Sequence, residues 1–211
     1  MLKLFIVLVL FSLVFLLAEI LYALKVAPYI TRKVAHVGSG FVAASLPYFV
    51  DFRTTLGIGV VFFLVLAFSK GKKLLRSIHE IDEDSIGAVL FPLSIAATAF
   101  VFWNSTVAIF QWATLVLGVS DGIAGVVGRR FGKRTFAITG KKTVEGSLFF
   151  FLSAFLILLL AIYFGSELTI YKVVEACVGA AVLCFIEAFF GKGWDNLFIP
   201  LAAGAVLFCI L

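Results

Sequence analysis

Residues 118–147 read GVSDGIAGVVGRRFGKRTFAITGKKTVEGS, and this stretch decides the fold. It starts inside an apolar run with an aspartate, Asp121, and then passes six cations: Arg129, Arg130, Lys133, Arg134, Lys141 and Lys142. It re-enters an apolar run at Glu145. The runs on either side, 106–128 and 144–164, are each about as long as the roughly 20 residues that cross a bilayer as a helix. A carboxylate at the depth of Asp121, about 10 Å from the helix end at 1.5 Å per residue, costs roughly 2.5–3.5 kcal/mol to insert and needs a partner or a bound cation. Gly118, Gly122, Ala124, Gly125 and Gly128 give the same helix a small-residue face on which another backbone can pack closely.

The rest of the chain has the same character. Of 211 residues 63% are hydrophobic, 25 are Phe, only 14% are charged, and the mean hydropathy is +1.18. A soluble domain of this size could not hide so much apolar surface. The expectation is an all-α fold: a polytopic transmembrane helical bundle forming a single integral-membrane domain over residues 1–211. Eight apolar spans are expected, at 3–24, 35–50, 54–69, 86–103, 106–128, 144–164, 170–189 and 197–211. The first is longer than the apolar core of a signal peptide and no small-x-small cleavage pattern follows it, so it reads as a membrane helix. Pro92 is expected to kink the fourth span. Cys177, Cys184 and Cys209 lie in apolar runs without metal-ligand spacing and read as packing residues.

Charge orients the bundle. Alternate loops hold Lys25, Arg32, Lys33; Lys70, Lys72, Lys73, Arg76; the six cations of 129–142; and Lys192, which together make fourteen of the seventeen cations. Lys3, Arg53 and Lys172 fall on the other side. This asymmetry places the basic loops in the cytoplasm and both termini outside. The net charge of +5 is therefore a topology signal and not a nucleic-acid footprint. Between 70 and 85, Leu74, Leu75, Ile78 and Ile81 recur at helical spacing, which predicts a short amphipathic surface helix.

The chemistry gathers on the cytoplasmic side. The sixth span runs outward, so its N-terminus at Gly140-Lys141-Lys142-Thr143 combines a helix dipole with lysines and reads as a phosphate site. Asp121, Glu145 and Asp195, with Asn196 beside the last, are the oxygen donors expected for a Mg²⁺-nucleotide. Arg32, Lys33 and His36, at the entry to the second span, read equally well as snorkelling or bundle-bonded groups and as members of the polar site. The stretch is not a Walker A loop: Gly128 to Gly132-Lys133 has three intervening residues where that motif has four, and Arg134 replaces Ser/Thr.

Four blocks resemble the polyprenol, dolichol and phytol kinase family: RKVAH at 32–36, SDGIAGVVGRRFGK at 120–133, TGKKTVEGS at 139–147, and DNLFIPL at 195–201. The resemblance implies CTP as phosphoryl donor and a membrane lipid alcohol as acceptor. It implies a nucleotide–Mg²⁺ site formed by Asp121, Lys133, Lys142, Thr143, Glu145, Asp195 and Asn196. Arg32, Lys33 and His36 fall within the first block. The reaction expected is in-line transfer of the γ-phosphoryl group to a prenol hydroxyl, governed by positioning and charge neutralisation. Asp121, Glu145 and Asp195 are the expected catalytic and metal-binding carboxylates, with Asp195 accepting the hydroxyl proton. Lys133, Lys141 and Lys142 neutralise phosphate. The membrane would be the plasma membrane in a prokaryote, or that of the endoplasmic reticulum or plastid in a eukaryote. The oligomeric state stays open.

Other readings stand beside this one. KKTVEG is also similar to the KTWEG stretch of phosphatidate cytidylyltransferases, so a cytidylyltransferase or a CTP-dependent diacylglycerol kinase fits the same residues. Asp121-Gly122-Ile123-Ala124 begins like the CDP-alcohol phosphotransferase signature, but Gly125 stands where that signature has arginine. Outside the enzymes, a small transporter would line a polar path with Asp121 and Glu19.

Overall fold

A computed structural model describes residues 1–72, 85–136 and 142–211. Most of the expected surface helix (residues 73–84) and Lys141 lie outside them. The described residues form eight helices: α1 (Leu2–Ala23), α2 (Pro28–Phe49), α3 (Phe52–Gly71), α4 (Gly87–Phe102), α5 (Val107–Phe131), α6 (Val144–Gly165), α7 (Ile170–Phe189) and α8 (Asp195–Ile210). Among these residues four helices, α1, α3, α5 and α6, are long and apolar enough to cross a membrane, and α4 and α8 are shorter apolar helices. Large apolar side chains are exposed along the bundle's outside: Leu13 and Leu17 on α1, Val61 and Leu64 on α3, Leu152 and Leu156 on α6, Val178 and Phe185 on α7. Such a surface suits lipid and not water.

Short turns join α1 to α2, α2 to α3, α4 to α5, α6 to α7 and α7 to α8. α2 packs against α1 and α5, α3 against α4, α6 against α5 and α7, and α8 against α4, α5 and α7. Phe110, Phe150, Leu46, Leu117, Leu158 and Ile162 are fully buried at the centre.

Two departures from the sequence pattern position the site. The second helix starts at Pro28, seven residues before the apolar run it contains, and Pro28 sits in its first turn, where a missing N–H is not needed. Arg32, Lys33 and His36 are therefore held on a helix. The fifth helix is not uniformly α-helical: Val116–Asp121 is a π-helical segment between α-helical halves. Such insertions turn the helix face locally and recur at functional sites. This one ends on Asp121.

The small-residue face of α5 works as its composition implies. A Cβ on Gly118 would stand 2.9 Å from the Gly40 Cα of α2, and one on Gly125 would overlap the Lys33 side chain. Only glycine lets α2 and α5 approach this closely.

Candidate active site

A cavity of about 540 Å³ opens at one end of the bundle. Its wall takes residues from the N-terminal halves of α2, α4, α6 and α8 and from the C-terminal halves of α1, α3, α5 and α7. Two lysine–carboxylate clusters face into it.

The first joins α2 to α5. Lys33 Nζ lies 2.5 Å from Asp121 Oδ2 and also donates to the Asp121 backbone carbonyl at 3.0 Å. His36 Nε2 is 3.2 Å from the same Oδ2 and 3.2 Å from the Leu117 carbonyl. That carbonyl belongs to the π-helical segment, so the local winding of α5 helps hold the imidazole. Asp121 is thus a buried carboxylate with partners, as its insertion cost requires. All these contacts run between helices that the glycine face brings together.

The second joins α6, α7 and α8. Lys142 Nζ donates to Glu187 Oε1 and to Asp195 Oδ2, each at 2.6 Å. Ser147 Oγ donates to Glu187 Oε2 at 2.7 Å, and the Asn196 N–H donates to Asp195 Oδ1 at 3.1 Å. Burial by itself would favour a neutral Lys142, but the Asp195 and Glu187 carboxylates outweigh it and hold the ammonium group well above the usual lysine range. At the rim, Arg32 donates to Ser85 Oγ at 3.0 Å, and Asn196 Nδ2 donates to the Gly87 carbonyl at 2.7 Å.

Of the residues singled out in sequence, Asp121, Asp195, Lys142, Thr143, Asn196, Arg32, Lys33 and His36 all line this cavity. Glu145 and Lys133 are not on its wall. Glu145 Oε2 instead accepts the Arg134 N–H at 3.5 Å, and Lys133 is exposed. The basic loop folds back on itself: the Phe136 N–H bonds to the Lys142 carbonyl and the Val144 N–H to the Arg134 carbonyl, both at 2.9 Å. Thr143 Oγ1 caps α6 by accepting the Gly146 N–H at 3.1 Å. Two of the first N–H groups of α6 are thereby already engaged, so anion binding here falls on side-chain cations more than on a bare helix end.

Glu187 is the site residue that motif reasoning passes over. Its signal is nonetheless present: a glutamate near the end of an otherwise apolar run, buried to 2% exposure. Among the described residues, no three His, Cys, Asp or Glu side chains are placed to hold a metal. Asp121 and Asp195 are nevertheless hard oxygen donors standing among cations. That fits Mg²⁺ carried on a nucleotide, which needs only one or two protein carboxylates beside the phosphates.

Paired lysine–carboxylate clusters of this kind lie at one end of a helical bundle whose apolar outer surface suits a membrane. The chain's relatives narrow the class. A phytol kinase of Synechocystis is 29% identical over 197 residues, covering 90% of this chain and 83% of that protein. A Triticum aestivum protein named "Probable phytol kinase, chloroplastic" is 30% identical over 203 residues, covering 86% of this chain and 67% of that protein. A Glycine max protein named "Probable phytol kinase 2, chloroplastic" is 28% identical over 203 residues, covering 86% and 65%. No family model and no solved structure matches the chain. The chain belongs to the polyprenol and phytol kinase family.

Proposed function

We propose that this protein transfers the γ-phosphoryl group of CTP, bound with Mg²⁺, to the primary hydroxyl of a membrane prenol. The observation that carries the reading is the convergence of Lys33, Lys142 and Arg32 with Asp121 and Asp195 on one cavity open at one end of a lipid-faced bundle. The cations neutralise and align the phosphates. Asp121 and Asp195 would hold Mg²⁺, which when bound supplies further charge neutralisation at the transferring group. The hydroxyl oxygen attacks the γ-phosphorus, the bond to the β-phosphate oxygen breaks, and CDP leaves. The hydroxyl proton passes to a carboxylate of the cavity, and the product is a prenyl monophosphate. Little covalent work falls to the protein, because positioning and charge dominate such a transfer.

The positive-inside pattern supports a cytoplasmic orientation for this end of the bundle, on the side where nucleotide is available. The relatives named phytol kinase make phytol the first acceptor to offer.

The test is a donor and acceptor screen on the purified protein. CTP, ATP, GTP and UTP are each offered with phytol, geranylgeraniol, a long polyprenol and diacylglycerol, and the lipid product is identified. The expected result is label transfer from γ-labelled CTP to a prenol. Label arriving from the α position would make the protein a cytidylyltransferase, and transfer only to diacylglycerol would replace the acceptor class.

A further inference from the structure

The acceptor needs a place for its chain as well as for its hydroxyl. On α2, Lys33, His36, Ser39, Ala43 and Leu46 follow at intervals of three or four and share one helix face. Read along the helix, that face changes from cation to imidazole to hydroxyl to hydrocarbon. Lys33, His36 and Ser39 line the polar cavity. Ser39, Ala43 and Leu46 line a second, wholly apolar cleft that continues from it between α1, α2, α3 and α4. Phe15, Leu66 and Phe91 belong to both walls, so the two spaces meet at Ser39.

Ser39 marks the junction chemically. The residue is 5% exposed, and its hydroxyl has no hydrogen-bond partner among the described residues. Nearby, Ser45 and Ser69 bond to backbone carbonyls of their own helices, while Ser120 and Thr98 are without a partner among the described residues. Ser39 stands at the wall of an open cavity, where a ligand can supply the partner that the protein does not.

We propose that the acceptor alcohol binds with its hydroxyl at Ser39 and its isoprenoid chain in the α1–α4 cleft. The proposal rests on the prenol kinase reading above and adds the location and polarity of the acceptor site. The chain enters between α1 and α3, where Phe62 packs on Phe11 at 4.9 Å and on Phe15 at 6.1 Å between ring centroids. From Leu66 to Ile58 the cleft follows eight residues of α3, about 12 Å at 1.5 Å per residue. The cleft is closed down to about 30 Å³ by this ring packing, so a prenyl chain enters it by displacing Phe62, and its tail stays in the lipid. Ser39 then stands one turn from the His36–Asp121 pair, so the bound hydroxyl faces the phosphate end of the site.

Three variants and one probe test this. Ser39→Ala removes the hydroxyl contact and should raise KM for phytol about tenfold while leaving CTP affinity unchanged. Ala43→Leu narrows the cleft and should lower kcat/KM for phytol about tenfold relative to geraniol; Phe62→Ala widens it and should shift that ratio the other way. A phytol analogue with a photoreactive diazirine near its hydroxyl should label peptides of α1, α2 and α4, with and without CTP. Chain-length ratios within twofold of wild type in both cleft variants, or labelling confined to α6 and α7, would overturn the proposal while leaving a working prenol kinase intact. Labelling of the cleft by a protein that phosphorylates no prenol would instead keep the acceptor site and overturn the kinase reading.

Discussion

Lys142 is the most informative side chain to remove. Its ammonium group lies 2.6 Å from both Glu187 Oε1 and Asp195 Oδ2, whose side chains are only 3% and 10% exposed. Lys142→Met keeps most of the volume and deletes the charge, leaving two carboxylates buried together without a counter-ion. Breaking a buried pair in this way costs about 3–5 kcal/mol, or on the order of a hundred- to several-thousand-fold in the folding equilibrium at 1.4 kcal/mol per tenfold. The triple variant Lys142→Met/Glu187→Gln/Asp195→Asn removes all three charges and should recover most of that loss, because neutral replacement of a buried ion cluster is often close to neutral in stability. The assay is unfolding of detergent-purified protein followed by helix circular dichroism, alongside phosphoryl transfer. Both variants should be inactive, and only the single variant should be unstable. A single variant within about 1 kcal/mol of wild type, or a triple variant no more stable than the single, would refute the account of Lys142 as the centre of a buried charge triad. The pH dependence has a definite sign. The folded state holds Lys142 above its ordinary value of 10.5, so its contribution is complete below that value and is lost only as pH rises beyond it. The stability gap between wild type and Lys142→Met should therefore stay constant from about pH 7 to pH 9.

Asp121→Asn should lower phosphoryl transfer by on the order of 10²–10³-fold or more, the usual size for losing a fixed electrostatic group at the reacting centre, while membrane insertion stays normal by fractionation; near-wild-type turnover would remove Asp121 from the site. Gly118→Ala places a Cβ 2.9 Å from the Gly40 Cα. It should force α2 from α5, costing about 1–3 kcal/mol and lowering activity by drawing Lys33 away from Asp121; unchanged unfolding would show that the crossing tolerates a methyl group. Glu187→Gln should reduce turnover more than Glu145→Gln, since Glu187 lines the cavity and Glu145 does not; the reverse order in initial rates would return Glu145 to the centre of the site.

The parts legible in sequence are those in which composition conflicts with environment. Apolar runs interrupted by charge mark the helices, and Asp121 stands out because a carboxylate inside such a run needs a partner. The small-residue face of α5 announces a close helix crossing. The identity of the facing helix does not show, because any helix with a complementary small residue would serve; it is α2, through Gly40. The length of α2 is obscured in sequence because its first three turns carry Arg32, Lys33 and His36, which lower hydropathy where the helix begins. Glu187 looks in sequence like the end of an apolar run. Its importance comes from three helices converging on Lys142, a tertiary fact with no local spacing. The π-helical turn before Asp121 has no composition signal at all.

The distribution of polar groups along the bundle also bears on the rival reading as a conduit. A path for a polar solute needs polar groups through the full depth of the membrane. Here the charged groups of the cavity lie together at one end. Beyond them the centre is filled by Phe110, Phe150, Leu158 and Ile162, all fully buried. The buried polar side chains in that region include Thr98 and Thr114, whose hydroxyls have no partner among the described residues and bear no charge. The bundle therefore has a charged end and a packed hydrocarbon body, and its apolar cleft runs from the first into the second beside Ser39. A water-soluble triphosphate and a membrane-soluble alcohol present the same two polarities. They could meet where the charged cavity gives way to the cleft, with the lipid's hydroxyl directed toward the phosphates and neither substrate leaving its own phase.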